Sequence, residues 1–293
     1  PNTNHTGFYV AKNKGYYKEA GLDVDIIEPG DNATTSMVAA GKADFGVSYQ
    51  EDVTYALTSE DPLPIKTIAT IIQHNTSGFV SLKSANINSV KDFEGKTYAG
   101  WGAPSEEAVI KAVMNEAGAD FSKLNIVGSD GSGIAGLSDE VGKNKVNLGW
   151  EFYGWAIIKA MQDGYDLNYM PLADLDSRLD YYTPVIITNN KMIKKNSDTI
   201  QKFMEATKKG YEYAIDHPSK AAEILHDDAL TDTDLKFLKE SQKYLSSQYA
   251  KDADSWGVMK DSVWDNYTDF MYETGLIDHK IDAKDQYTNE FVK

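Results

Sequence analysis

The beginning of the chain alternates stretches with helical and strand-like patterns. Residues 6–14 have the spacing of a short helix, and residues 22–27 alternate apolar and acidic side chains with the period of two that marks a half-buried strand. A second helix is predicted to follow a cap at Asp31 or Asn32. Residues 45–48 then have the pattern of a buried strand. This βαβ rhythm with short connections indicates a mostly parallel sheet with helices on its faces.

A second α/β stretch follows and ends near residue 188. Its predicted strands are short apolar runs bounded by turn residues, and they cover residues 66–72, 79–82, 97–99, 124–127, 148–150 and 183–188. A helix is predicted to begin at Ser105, and the glycines between residues 128 and 136 indicate a loop. After Asn189 the apolar residues recur at helical spacing to the end of the chain.

This order of elements predicts an α/β protein of two lobes, each with a mostly parallel or mixed sheet, and a helical C-terminal tail. Lobe 1 is predicted to comprise residues 1–82 and 186–293, and lobe 2 residues 83–185. The extended segments 79–82 and 183–188 are the expected hinge strands between them.

Charge and composition argue against several classes of partner. The net charge of -16 makes the surface repel nucleic-acid phosphates and anionic lipid head groups. Arg178 is the single arginine, so the bidentate fork that favours sulfonates, carboxylates and phosphates is nearly absent. The sequence contains no cysteine, which excludes disulfides, thiolate catalysis and cysteine-ligated metals.

Signatures of catalysis are weak throughout the sequence. The glycines near residue 130 match neither a dinucleotide-binding nor a phosphate-binding loop, and no Gly-x-Ser-x-Gly motif occurs. The five histidines lack metal-ligand spacing, although His5 and His74 could meet in the fold. We therefore expect no catalytic residues, no metal and no cofactor.

Candidate ligand contacts of lobe 1 lie where predicted strands or loops meet helices. Asn4 and His5 precede the first helix, and Ser48, Tyr49 and Gln50 follow the buried strand. Loops at the carboxyl ends of strands in open α/β sheets commonly bind ligands. The structural alternative is that Asn4 or Thr6 caps the first helix, that Ser48 caps the next one and that Tyr49 belongs to the core.

A further polar stretch, residues 73–77, contains His74 and precedes the first expected hinge strand. His74 is a candidate ligand contact, and a polar hinge loop without any ligand contact is an equal alternative.

The candidates of lobe 2 are aromatic or acidic. Trp101, which is flanked by glycines, would offer an open indole for stacking. Glu151 and Tyr153 lie in the densest aromatic cluster, residues 150–155, where a carboxylate could accept hydrogen bonds from the N–H groups of a ligand. The alternative is a solvent-facing glutamate beside core aromatics. Glu106 and its neighbour in the first turn after Trp101 are explained by the helix dipole.

Several motifs resemble one family of solute-binding proteins. Four motifs resemble those of the NMT1/THI5-like proteins of ABC importers. They are the Pro-Asn-Thr-Asn-His-Thr-Gly opening, Gly-Tyr-Tyr…Gly-Leu-Asp-Val at 15–24, Gly-Lys-Ala-Asp-Phe-Gly-Val at 41–47 and Phe-Glu-Gly-Lys-Thr-Tyr at 93–98. With Trp101-Gly102 and Gly149-Trp150-Glu151, the chain is more similar to the ThiY-like branch, which binds thiamine pyrimidine precursors. The matches run in the family's order from residue 1 to about residue 190.

The resemblance implies a two-lobed periplasmic-binding-protein fold of type II. It also implies a monomeric extracytoplasmic receptor that binds a formylaminopyrimidine or hydroxymethylpyrimidine between its lobes and delivers it to an ABC permease. Such proteins are lipid-anchored on the outer face of Gram-positive membranes or periplasmic. The alternatives are a receptor for another small solute, such as an aliphatic sulfonate, and a pyrimidine-synthase-like enzyme. Eukaryotic synthases of the family have a cysteine-rich motif, which this chain lacks.

Overall fold

The computed structural model describes residues 1–30 and 33–292. The strands are β1 (Phe45–Ser48), β2 (Ile65–Thr70), β3 (Ser77–Leu82), β4 (Thr97–Gly100), β5 (Asn125–Gly128), β6 (Leu148–Phe152), β7 (Leu167–Pro171) and β8 (Val185–Asn189). The helices are α1 (Thr6–Asn13), α2 (Tyr16–Glu19), α3 (Thr34–Ala39), α4 (Gln50–Thr58), α5 (Pro104–Glu116), α6 (Ile158–Gln162), α7 (Leu172–Leu175), α8 (Asn190–Lys195), α9 (Ser197–Asp216), α10 (Pro218–Ala229), α11 (Leu235–Ser246), α12 (Asp261–Glu273) and α13 (Ala283–Gln286). The α/β class with two sheets and the helical C-terminal region are confirmed. The predicted caps Asp31 and Asn32 lie outside the described residues.

The chain forms two compact units. Unit 1 comprises Pro1–Asn75, Tyr181–Asp269 and Ile277–Lys293, and unit 2 comprises Thr76–Asp180 and Phe270–Leu276. The two segments expected to be hinge strands are β3, in the sheet of unit 2, and β8, in the sheet of unit 1. The predicted assignment of residues 83–185 to a separate lobe stays a prediction.

The sheet of unit 1 has three strands in the order β1-β8-β2. Both outer strands run antiparallel to β8, with Val47 opposite Ile186 and Thr67 opposite Ile187. The sheet is therefore antiparallel rather than mostly parallel. The βαβ pattern does place β1 and β2 in the same direction, but β8, which arrives from far along the chain, lies between them. All five residues of β8 are buried.

The predicted strand at residues 22–27 is absent. Its burial alternates as expected, and Leu22, Val24 and Ile26 pack against the main core of unit 1. However, the backbone groups of residues 23–28 form no hydrogen bond within the described residues. A period-two pattern thus predicted the buried face correctly, but a strand also needs a neighbouring backbone.

The sheet of unit 2 is mixed, with five strands in the order β5-β4-β6-β3-β7. β4 runs parallel to β5 and β6, whereas β3 runs antiparallel to β6 and β7. Because β4, β5 and β6 are parallel, their carboxyl ends meet at one edge of the sheet. This edge receives the segments that follow Gly100, Gly128 and Phe152.

Two glycines allow α1 and α9 to pack closely in unit 1. A Cβ on Gly210 would lie 2.0 Å from the carbonyl oxygen of Gly7, and a Cβ on Gly7 would lie 2.2 Å from the Tyr211 ring. This contact fixes the start of α1, and hence the residues just before it.

We expect Gly210→Ala to destabilise the protein, although alanine favours a helix over glycine by about 1 kcal/mol. Overpacking against backbone should lower the free energy of unfolding by about 1–3 kcal/mol, measured by urea denaturation. Gly142→Ala is the control, because Gly142 is exposed and its nearest neighbour would be the Lys145 Cγ at 4.0 Å. An unchanged or higher stability of Gly210→Ala would contradict the close helix contact.

Candidate functional site

The polar residues before α1 form a capping box. Asn2 caps the short helix at residues 3–5: its Oδ1 accepts a hydrogen bond from the Asn4 amide at 2.9 Å. In return, the His5 Nδ1 accepts one from the Asn2 amide at 3.0 Å. Burial lowers the pKa of His5 to about 4, so its ring is neutral near neutral pH. The cap of this short helix is Asn2, whereas α1 itself begins after His5 without a side-chain cap, so neither Asn4 nor Thr6 caps it.

The threonines around Asn4 are fixed by the C-terminal region. The hydroxyls of Thr3 and Thr6 hydrogen-bond to Ser241 and Gln242 of α11 at 2.6 and 2.5 Å. Both threonines are buried. The Asn4 side chain forms no hydrogen bond within the described residues, so it is the available polar group of this element. Its ligand role stays a prediction.

The three candidates that follow β1 have different environments. Gln50 is fully buried, its Nε2 donates to the Val263 carbonyl at 3.2 Å, and its Oε1 accepts from the Tyr182 amide at 2.8 Å. Both ends of this amide thus hold α4 in unit 1, which favours a structural role, and the ligand role of Gln50 stays a prediction. Ser48 is buried as well. Tyr49 is 49% exposed rather than part of the core.

His5, Ser48 and Tyr49 line one groove of unit 1, with a volume of about 1100 Å³. Much of its wall is apolar and comes from residues 22–27, β1 and Phe203 of α9. The structure therefore brings three of the five predicted residues of this region together. Tyr49 offers the groove an exposed aromatic surface.

His74 lies elsewhere in unit 1. Its Nε2 is 3.4 Å from Oδ2 of Asp252, which gives the ring a partner without any ligand. Within residues 1–30 and 33–292, neither His74 nor His5 belongs to a group of three or more side chains able to hold a metal ion. The role predicted for His74 as a ligand contact stays a prediction.

Trp101 is an open aromatic surface of unit 2. It directly follows β4, and its side chain is 60% exposed. The indole contacts Trp150 of the adjacent strand β6, with ring centroids 5.1 Å apart and planes at 60°. The exposed part of the ring could stack on a ligand, and the ligand role of Trp101 stays a prediction.

Glu151 lies next to Trp150 near the end of β6. It is half-buried, and burial raises the pKa of its carboxyl group. The loop after β5 passes beside the carboxylate, since a Cβ on Gly133 would lie 3.7 Å from Oε1. The Glu151 side chain forms no hydrogen bond or ion pair within the described residues. Neighbouring strand residues point to opposite faces, so a ligand could reach both Glu151 and Trp101 only at the edge of the sheet.

Tyr153 begins the π-helical turn that leads into α6. Its amide donates to the Thr76 carbonyl at 2.9 Å, and its ring lies 5.3 Å from that of Tyr169. The ring packs against a core cluster of unit 2 that contains Val80 and Ile157. These contacts favour a structural role, and the ligand role of Tyr153 stays a prediction.

Sequence reasoning missed the groups that support Trp101. Glu106 is 2% exposed, and it accepts hydrogen bonds from Tyr98 and from the turn between β4 and α5. Glutamate at the third position of a helix is a known capping signal, which the explanation by the helix dipole leaves out. The dipole does not require the side chain to be buried.

No helix among the described residues combines the length and apolar character needed to cross a membrane.

Two relatives in sequence differ in function, since one is a binding protein and the other an enzyme. The formylaminopyrimidine-binding protein of Halalkalibacterium halodurans is 28% identical, over 87% of this chain and 79% of the relative. A 4-amino-5-hydroxymethyl-2-methylpyrimidine phosphate synthase of Legionella pneumophila is 24% identical, over 99% of this chain and 89% of the relative.

Solved structures show the same fold. The alkanesulfonate-binding protein SsuA of Xanthomonas axonopodis pv. citri aligns with a TM-score of 0.72 at 11% identity, over 98% of this chain and 96% of that one. A Candida albicans protein described as having the generic periplasmic binding protein fold aligns with a TM-score of 0.66 at 16% identity, over 100% and 95%. The periplasmic-binding-protein fold is thereby confirmed.

The model of the family described as NMT1/THI5 like matches residues 2–221, which is most of the chain. The chain belongs to the NMT1/THI5-like family.

Proposed function

We propose that this protein is an extracytoplasmic solute-binding protein of an ABC importer and that its ligand is a thiamine-related pyrimidine precursor. The ligand would be of the formylaminopyrimidine or hydroxymethylpyrimidine type. Family membership supports the proposal, as does the formylaminopyrimidine-binding relative from Halalkalibacterium halodurans. The observation that carries it is the Glu151 carboxylate, which is half-buried, has a raised pKa and forms no hydrogen bond within the described residues.

Such a carboxylate suits the amino edge of a pyrimidine. An exocyclic amine and a protonated ring nitrogen both donate hydrogen bonds to a carboxylate, and partial burial strengthens the pairing. The cost of keeping a charge away from water is recovered when a donor arrives. Trp101 supplies the complementary contact, because its open indole face can stack on a flat ring.

The environment of Arg178 argues against an anionic ligand. The guanidinium Nη2 lies 2.6 Å from Asp176, and Nη1 lies 2.7 Å from Glu273. The single arginine of the chain is therefore already paired within unit 2. A sulfonate near Glu151 would also meet a like charge, which argues against the aliphatic-sulfonate alternative.

The synthase alternative is represented among the relatives, so it is tested directly. A receptor should bind its ligand one-to-one and return it unchanged. Mass spectrometry of a pyrimidine incubated with the protein should show no time-dependent conversion, whereas steady conversion would support the enzyme.

The raised pKa of Glu151 has a consequence for the ligand-free protein. In the unfolded chain the pKa of its carboxyl group is near the ordinary value of 4.5, whereas burial raises this pKa in the folded protein. Stability should therefore fall as pH rises from below 4.5 through the folded pKa. We expect Glu151→Gln to raise the free energy of unfolding at about pH 8, and this gain to vanish below about pH 4.

Glu94→Gln is a control of opposite sign for that measurement. The hydrogen bond from Lys123 lowers the pKa of Glu94, so its ionised form stabilises the fold above the ordinary pKa. This substitution should lower stability near neutral pH and have no effect in acid. The same pH dependence in both variants would mean that burial does not disfavour the ionised form of Glu151.

Ligand binding should depend on Glu151 and Trp101 in different ways. We expect Glu151→Gln to weaken aminopyrimidine binding about tenfold or more, equivalent to about 1.4 kcal/mol, because it removes the charge and one acceptor but keeps the shape. Trp101→Ala should weaken the binding of all flat rings similarly. Isothermal titration with an aminopyrimidine and with the ring lacking the amino group would measure both effects.

The solute classes are separated by a thermal-shift screen of pyrimidine precursors and alkanesulfonates, because a ligand of the native state raises the midpoint of unfolding. Stabilisation by sulfonates alone would refute the pyrimidine assignment. Wild-type affinity in Glu151→Gln would remove its chemical basis.

A further inference from the structure

We propose that Glu106 is a positioning residue for ligand binding, which holds the turn that carries Trp101 so that the indole is ready to stack. This inference rests on the proposed function, in which Trp101 contacts the ligand. It differs from the helix-dipole explanation of Glu106, which requires only a negative charge near the start of α5.

The carboxylate of Glu106 is buried beneath the turn between β4 and α5. Its Oε1 accepts hydrogen bonds from the hydroxyl of Tyr98 and from the amide of Trp101, the latter at 3.2 Å. Its Oε2 accepts one from the amide of Gly102 at 2.8 Å. Three donors thus converge on one buried charge, and two of them are backbone groups of the turn itself.

The glycines of this turn fit the carboxylate. A Cβ on Gly100 would lie 1.9 Å from Oε1 of Glu106, so any larger residue would exclude the carboxylate. Gly102 has a φ of 81°, in the left-handed region that favours glycine. The backbone of the turn therefore allows the close approach of Glu106 and directs its amides at it.

The turn and the carboxylate depend on each other energetically. A buried carboxylate without donors is costly, so Glu106 requires the amides of Trp101 and Gly102. Within the described residues neither amide donates a hydrogen bond to a backbone carbonyl, and Glu106 is the acceptor of both. Replacing the carboxylate should therefore let the backbone of the turn change its conformation.

The orientation of the indole depends on its backbone more than on its packing. The ring is 60% exposed, and its aromatic neighbour is Trp150 in a tilted contact with planes at 60°. Since the amide of Trp101 is a donor to Glu106, the base of the side chain is fixed by that carboxylate. A platform fixed before the ligand arrives avoids an entropic cost of ordering on binding.

The test compares Glu106→Gln with Glu107→Gln. Both remove one negative charge from the first turn of α5, but Glu107 is exposed and accepts no hydrogen bond from the turn in the described residues. We expect Glu106→Gln to weaken aminopyrimidine binding about tenfold, the fold-change that corresponds to about 1.4 kcal/mol. Glu107→Gln should stay within about twofold of wild type, because the dipole effect is small at an exposed site. Equal effects of the two variants would overturn the proposal.

A double-mutant cycle shows whether Glu106 acts through Trp101. In the Trp101→Ala background, Glu106→Gln should cause little further loss of affinity, because the platform is already absent. Additive losses would mean that Glu106 acts independently of Trp101 and would overturn the inference.

Spectroscopy tests the positioning without any ligand. The near-UV circular dichroism difference between wild type and Trp101→Ala isolates the Trp101 contribution, and we expect Glu106→Gln, but not Glu107→Gln, to abolish it. Gly102→Ala, which strains the turn and leaves the carboxylate in place, should have the same effect if Glu106→Gln folds poorly. A retained Trp101 signal in both would overturn the positioning role. If wild type bound no pyrimidine, the proposed function would fail, while these ligand-free spectra would still decide whether Glu106 orients the indole.

Discussion

A charged carboxylate cannot stay buried without donors, and the edge of the unit 2 sheet has two carboxylates that meet this constraint differently. Glu106 is satisfied by Tyr98 and the turn amides, so its charge is used to hold the fold. Glu151 is only half-buried, has a raised pKa and lacks a hydrogen-bond partner in the described residues. The satisfied group can fix a structure, whereas the unsatisfied one can recognise a donor. Both act on Tyr98, whose pKa is raised by burial, by Glu106 and by Glu151.

Local patterns predicted most elements of the fold because each element has its own periodicity of apolar residues and is bounded by turn or capping residues. The strands at 97–99, 124–127 and 148–150 correspond to β4, β5 and β6, and their parallel order placed three loops at one edge. Non-local pairing was not predictable in this way. The insertion of β8 between β1 and β2 made the first sheet antiparallel, and residues 22–27 kept a strand's burial pattern without a paired backbone. Both outcomes depend on which backbone lies alongside, and a single stretch of sequence does not encode that.

The candidate site was predictable in residue type more than in role. Trp101 follows β4 and is exposed, and Glu151 lies near the end of β6 and is half-buried, while their ligand roles stay predictions. The side chain of Gln50, in contrast, hydrogen-bonds to the backbone of Tyr182 and Val263, both more than a hundred residues away in the sequence. The role of Glu106 was not predicted for a related reason. Its position in the helix explains why a negative charge is favourable there, but not the direction of the side chain. Side chains with distant or backbone partners are those that sequence reasoning assigns least well.

Fold and family do not fix the ligand, because the relatives in sequence include a formylaminopyrimidine-binding protein and a synthase, and an alkanesulfonate-binding protein has the same fold. The choice between these ligand classes must therefore depend on the charges around the site. An anion would need cationic or amide donors, yet Arg178 is already paired with two carboxylates, and Glu106 already uses the amides of Trp101 and Gly102. What this edge still offers is an open indole and a carboxylate that lacks a donor. A flat ring with an amino edge satisfies both, and an alkanesulfonate satisfies neither.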